Sequence, residues 1–260
     1  MPHQPIGVFD SGLGGLTVLQ SLRARLPGED FIYFADASHL PYGDKPEAFI
    51  QMRGQAIADA LAKRGCKAIV VACNTATAAA ADGIRARLSM PVIALEPAIK
   101  PAAALTRNGI LGVLATTRTL TSRRFAQLVK SYAPDATLIA QACSGLAESI
   151  ETEGPESASV EALLDAYMRP IANANADVVV LGCTHYPWVK TSIARRLLPE
   201  TILVDTGEAV ARQVERRLTE ANILGGRGQL RFAASGNPDK MRAALARLCG
   251  IFMPVESWDV

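Results

Sequence analysis

Residues 68–77 read AIVVACNTAT, and residues 177–186 read DVVVLGCTHY. Each is a short apolar, β-branched run that ends near a cysteine, with polar residues following. Neither run alternates apolar and polar residues. Strands of that kind are buried on both faces, as in parallel sheets wrapped by helices. The likeness extends upstream. Residues 6–19 read IGVFDSGLGGLTVL, and residues 110–125 read ILGVLATTRTLTSRRF. Asp10 precedes Cys73 by 63 residues, and Thr116 precedes Cys183 by 67. The chain reads as a loose repeat of itself, with two α/β halves.

Outward from these stretches, strands are expected at 6–9, 31–34, 68–72, 92–94, 110–114, 137–140, 178–181, 202–204 and 230–233. Helical patterns lie between most of them, for example at 14–26, 46–64, 76–88, 160–172, 187–198, 208–220 and 239–248. The fold class is therefore α/β: two pseudo-symmetric domains, each a mainly parallel sheet flanked by helices. The boundaries fall near Glu96-Pro97 and Thr206-Gly207. They give a first domain of 1–96 with 207–260, and a second of 97–206. In open parallel sheets, ligands bind beyond the carboxyl ends of the strands. Asp10, Cys73, Thr116 and Cys183 all sit just past such ends. If the halves face each other, these residues converge on one cleft.

Composition narrows the classes of function. The 260 residues are 49% hydrophobic and 20% charged, an ordinary globular balance. A net charge of +2 provides no field for nucleic acid or anionic lipid. Aromatics at 5% give few platforms for stacking bases. The start, MPHQP, lacks the basic and apolar regions of a signal peptide, and residues 68–81 are too short to span a bilayer. A soluble, cytoplasmic chain with no membrane partner is expected. Near-neutral charge permits a homodimer without requiring one. The five cysteines are scattered, with no CxxC pair and no zinc-finger histidines, so free thiols are expected and no metal site.

Cys73 and Cys183 each lie between a buried strand and a helix start. Free helix N–H groups there favour a thiolate. Either cysteine alone reads equally well as a small buried hydrophobe. Two of them in equivalent places favour chemistry. One thiolate can take a proton from a carbon while a thiol delivers one to the other face, which inverts a stereocentre. Asp10 can orient a base or bind an ammonium, and it or Ser11 can equally cap the next helix. The SGLGG stretch lacks both GxGxxG and the P-loop lysine, so nucleotide binding is disfavoured. His185 can act as proton partner to Cys183, or it can be a structural histidine. His3 sits in an end expected to fray. His39 lies in DASHLPYGDK, read as an ordinary turn in which Gly43 permits an unusual backbone angle and offers its N–H to a carboxylate. Cys66 and Cys249 read as packing, and Cys143 lacks the polar residues that follow the other two.

The stretches GVFDSGLGGLTVL, YFADASHLPYGDK, VVACNTAT and VLGCTHYP resemble the signatures of the glutamate racemases, in the aspartate/glutamate racemase superfamily. The resemblance runs from Ile6 to about Gly250. It implies two α/β domains with the site between them, and a cofactor-independent enzyme with neither pyridoxal phosphate nor metal, making D-glutamate for peptidoglycan. Carried over by motif, Cys73 deprotonates the D-isomer and Cys183 the L-isomer. Asp10 assists Cys73, and His185 assists Cys183 with an acidic residue behind it. The family's spacing selects Glu151, and Glu148 stays a rival because "CSGLAESIE" departs from the usual form. The implied substrate contacts are Ser11, Pro41, Tyr42, Gly43, Asn74, Thr75, Thr116, Thr119 and Thr184, with Thr117 the neighbour that could replace Thr116. The substrate is expected to be glutamate. Aspartate racemisation, or simple binding of an acidic amino acid, remains the alternative.

Overall fold

The computed structural model describes residues 4–260, and His3 lies outside them. Ten strands and eleven α-helices follow in chain order. They are β1 Ile6–Asp10, α1 Leu16–Arg25, β2 Phe31–Ala35, α2 Glu47–Lys63, β3 Ala68–Val71, α3 Asn74–Arg87 and β4 Val92–Ala94. Next come α4 Ile99–Leu105, β5 Ile110–Ala115, α5 Thr117–Leu120, α6 Arg123–Tyr132, β6 Thr137–Ala142, α7 Leu146–Glu153, α8 Ala158–Asn173, β7 Val178–Gly182, α9 Lys190–Ala194 and β8 Ile202–Val204. The chain ends with α10 Gly207–Glu220, β9 Leu230–Ala234, α11 Pro238–Cys249 and β10 Val255–Ser257. Contacts divide it into two units, one running up to Leu95 and resuming at Gly207–Val260, the other Glu96–Thr206.

The first unit holds a six-stranded sheet in the order β10-β9-β2-β1-β3-β4. The second holds a four-stranded sheet in the order β6-β5-β7-β8. All pairings are parallel. The run β2-β1-β3-β4 has the same topology as β6-β5-β7-β8, so the repeat seen in the sequence is a repeat of architecture. Strand order reverses between β1 and β3, and again between β5 and β7. Crevices at such switch points are where ligands meet open α/β sheets.

Burial follows the apolar pattern. Every residue of β1, β2, β3 and β7 is buried, as covered parallel strands require. One cluster in the first unit packs Phe9, Ile32 and Val71 against Ile50, Ile57, Leu61 and Ile84. Full burial of such a side chain contributes about 1.5–3 kcal/mol. In the second unit, separate clusters built around Leu164, Ile171 and Val179, and around Ile99, Val113 and Val180, cover the sheet. Among the described residues, no helix is long and apolar enough to cross a membrane.

Two departures from the sequence expectation have physical causes. The helix expected at 187–198 is a 3-10 turn, Tyr186–Val189, followed by the short α9. Past α9 the bonding shifts from Arg195 N–H on Thr191 to Arg196 on Ile193 and Leu197 on Ala194, which tightens the coil. Pro199 then disfavours helix at Leu198. The strand β10 was not expected. Its sequence VES carries no apolar run, and it forms because β9 offers an edge to pair with.

Candidate active site

At the end of β1, Asp10 is fully buried. Its Oδ1 accepts the Ser11 N–H at 2.5 Å and the Ser11 hydroxyl at 3.1 Å, and its Oδ2 accepts the Gly15 N–H. Two backbone donors of the SGLGG loop therefore serve Asp10. A Cβ on Gly15 would lie 2.9 Å from both Asp10 Cβ and the Tyr33 hydroxyl, so only glycine fits there. Tyr33 braces the same loop by donating to the Gly12 carbonyl at 2.8 Å. Sequence reading missed Tyr33, because an aromatic within an apolar strand looks like plain core.

Cys73 follows β3 and caps α3. Its Sγ accepts the Ala76 N–H at 3.4 Å. The thiol also lies 3.8 Å from the Ser11 hydroxyl. Ser11 thus stands between thiol and carboxylate, giving a chain Cys73–Ser11–Asp10. Asn74 and Thr75 open α3 and are buried, and Asn74 Oδ1 has no hydrogen-bond partner among the described residues.

Residues 41–43 lie in the loop after β2, where Tyr42–Asp44 forms a 3-10 turn. Gly43 is not among the glycines with positive φ, so the turn is an ordinary one and the unusual backbone angle that glycine permits is not used. The Tyr42 ring is buried and its hydroxyl donates to Asp36 Oδ2 at 2.5 Å. Burial, then the Asp36 charge, pushes that phenol well above its ordinary range. It stays protonated and donating. His39 Nδ1 lies 3.0 Å from Asp36 Oδ1.

In the second unit Ala115 and Gly182 are paired in register, so Thr116 and Cys183 leave their strands at one level. A Cβ at Gly182 would lie 2.8 Å from the Leu114 carbonyl, which explains the glycine before the cysteine. Thr116 caps α5 by accepting the Thr119 N–H at 3.2 Å, and its hydroxyl donates to Thr119 Oγ1 at 2.9 Å. Thr119 is buried, whereas Thr117 points to solvent.

Cys183, Thr184 and His185 are all buried. The Cys183 Sγ lies 3.6 Å from His185 Nδ1, and His185 Nε2 lies 2.5 Å from Glu151 Oε1. Glu151 comes from α7, while Glu148 is exposed. The Trp188 ring packs edge-on to the imidazole, with centroids 5.8 Å apart. Burial works against a charged ring. Hydrogen bonds to Cys183 and Glu151, with the negative charge nearby, outweigh it and hold His185 well above the ordinary imidazole range. A charged imidazole backed by a carboxylate can pass a proton to the sulfur and recover it.

Burial pushes Cys66 and Cys143 up to about 12 and Cys249 up to about 11, which leaves them as thiols at neutral pH. Among the described residues, no group of three or more His, Cys, Asp or Glu is placed to hold a metal ion.

Each unit thus pairs a buried thiol with a hydrogen-bonded acid at a switch point. The model of the Asp/Glu/Hydantoin racemase family matches residues 6–214. A glutamate racemase of Pseudomonas paraeruginosa is 48% identical over 259 residues, covering 98% of each chain. The crystal structure of a Bacillus anthracis glutamate racemase superposes with a TM-score of 0.89 at 28% identity, covering 100% of this chain and 99% of that one. The Francisella tularensis glutamate racemase, solved with D-glutamate, gives 0.88 at 32% identity, covering 100% and 98%. The chain therefore belongs to the Asp/Glu/hydantoin racemase family, and within it stands with the glutamate racemases.

Proposed function

We propose that the chain interconverts L- and D-glutamate without a cofactor, by proton transfer between two thiols and the α-carbon. Cys73 takes the α-proton of the D-isomer as a thiolate, and the Cys183 thiol protonates the opposite face. The L-isomer follows the reverse path. Each turnover leaves the two sulfurs with exchanged protonation, so a further turnover in the same direction first requires Cys73 to lose its proton to solvent and Cys183 to take one up. Asp10 acts on Cys73 through Ser11, and His185 with Glu151 acts on Cys183. What carries the reading is the occurrence of a strand-end thiol with its own bonded acid in each of two repeated units.

The α-proton of an amino acid is far less acidic than any side chain, so the carbanion needs preorganised donors and little water. A placed base contributes roughly 10²–10⁴-fold, and electrostatics must supply much of the rest. Ser11, the backbone of Pro41, Tyr42 and Gly43, Asn74, Thr75, Thr116, Thr119 and Thr184 are the proposed substrate contacts. Hydroxyls, an amide and N–H groups can hold two carboxylates. The unpartnered Asn74 amide oxygen supports a ligand donor there. The product is proposed to supply D-glutamate for peptidoglycan in the cytoplasm.

The test is L-glutamate in D₂O with reduced protein and no added pyridoxal phosphate, with L-aspartate in parallel. Loss of optical rotation with α-deuterium uptake from glutamate is expected. Uptake from aspartate alone would reassign the substrate. Folded protein silent on both would leave an acidic amino-acid binder as the better reading.

A further inference from the structure

Asp36 follows β2, and its N–H donates to the Asp10 carbonyl at 2.9 Å, which sets it at the same strand end as Asp10 and Cys73. It is fully buried and plays no part in the chemistry above. Its carboxylate is nevertheless bonded from several segments. Arg53 of α2 places Nη2 at 2.7 Å from Oδ1 and Nε at 3.0 Å from Oδ2. The Tyr42 hydroxyl and the His39 ring add bonds from the loop that carries the turn at 42–44. The Ser235 hydroxyl reaches Asp36 from beyond β9, and it also accepts the Ser38 N–H at 3.1 Å. Arg53 is itself buried and goes on to the Val260 carbonyl.

A buried ion pair is a weak source of stability, because desolvation cancels much of its attraction. A two-pronged guanidinium does fix direction. Here the direction leads to Cys73. Tyr42 is held at its hydroxyl by Asp36, and its ring lies in the apolar cluster that contains Cys73, Phe9 and Ala76. The turn at 42–44 packs on α3, the helix that Cys73 caps.

We propose that Asp36 and Arg53, acting through Tyr42, are positioning residues for the Cys73 thiol. They hold the turn at 41–43 against the first turn of α3 and so set the line from sulfur to α-carbon. This rests on the racemase reading above. A second buried pair gives the contrast. Lys67 and Glu29 meet at 2.5 Å before β3 and β2, at the opposite ends of those strands, and each side chain also bonds the Gly225 backbone.

The test measures kcat/KM and primary deuterium isotope effects with D- and L-[2-²H]glutamate on the full chain. The variants are Tyr42→Phe, Asp36→Asn, Arg53→Lys and, as the control, Lys67→Met. Tyr42→Phe and Asp36→Asn are expected to lower kcat/KM by about ten- to a hundredfold through misplacement. They should raise the isotope effect from the D-isomer and lower it from the L-isomer, because only the Cys73 step is slowed. Arg53→Lys keeps the charge without the fork and should fall between these and wild type. Lys67→Met should lower Tm and leave both isotope effects unchanged. A loss of folded protein scales kcat and cannot alter an isotope effect, so unchanged effects in Tyr42→Phe overturn the proposal even if Asp36→Asn does not fold. Wild-type protein silent on both enantiomers would instead overturn the racemase reading.

Discussion

The two switch points carry the same side chain, a buried thiol, in different surroundings. Cys73 caps a helix of fourteen residues, takes its Ala76 N–H, and reaches Asp10 only through a hydroxyl. Cys183 is followed by a 3-10 turn and leans directly on an imidazole backed by Glu151. Repetition kept strand order and thiol position and let the acid partners diverge. The enantiomers differ in which face bears the proton, so two unlike partners can serve one reaction if each thiol works on one face. On the proposed mechanism, a helix terminus with a neutral hydroxyl, and a charged ring with a carboxylate, are two physical routes to one end.

Removing either sulfur should have the largest effect. Cys73→Ser and Cys183→Ser are each expected to reduce racemisation by about 10²–10⁴-fold, the contribution of a placed base. Circular dichroism should show folded protein, and a surviving rate near wild type in either variant would break the equivalence of the halves. The partners come next. Asp10→Asn and His185→Asn should each lower kcat/KM by about ten- to a hundredfold. The enantiomers have equal free energy in water, so kcat/KM must fall equally in both directions. The asymmetry should show in primary isotope effects: Asp10→Asn raises the effect from the D-isomer, and His185→Asn raises it from the L-isomer. The same direction in both variants would mean that the partners do not serve separate thiols.

The smallest effect sharpens the Cys183 side alone. Glu151→Gln replaces a charge-assisted bond by a neutral one and should cost about five- to tenfold in kcat/KM. The His185 ring is held high by Cys183 and Glu151 against burial. Loss of the carboxylate therefore moves the alkaline limb of kcat/KM to lower pH, a limb that belongs to the imidazole–thiol pair jointly. Stability has the same sign. A raised imidazole value contributes stability fully present below the unfolded value of about 6.5 and lost as pH rises through the folded value. Calorimetry should thus find the larger Tm loss in Glu151→Gln at about pH 6 and a smaller one at alkaline pH. An unmoved alkaline limb would count against Glu151 as the support of His185.

Much of the architecture could be read from local pattern. Continuous apolar strands such as AIVV and VVVLG can be buried only in covered parallel sheets, and the paired motifs announced the repeat. The thiols were legible for the same reason: a cysteine between a buried strand and a helix start is a local feature. The relay role proposed for Ser11 was not, because a hydroxyl beside an aspartate looks like a cap until the distant Cys73 comes to 3.8 Å. The choice between Glu151 and Glu148 was likewise open along the chain. Helix α7 turns one toward His185 and the other to solvent.

By itself, then, the sequence determined nine of the ten strands, their order and the places of Asp10, Cys73 and Cys183, since hydrophobic period and strand-end position act over a few residues. Tertiary structure alone decided which groups meet. It put β9 beside β2 and let β10 pair with an exposed edge. It gathered Arg53, Tyr42 and Ser235 from three segments onto the Asp36 carboxylate. Hydrogen bonds reach only about 3 Å. No pattern along the chain fixes a distance of that size between residues tens or hundreds of positions apart; the packing of sheets and helices does.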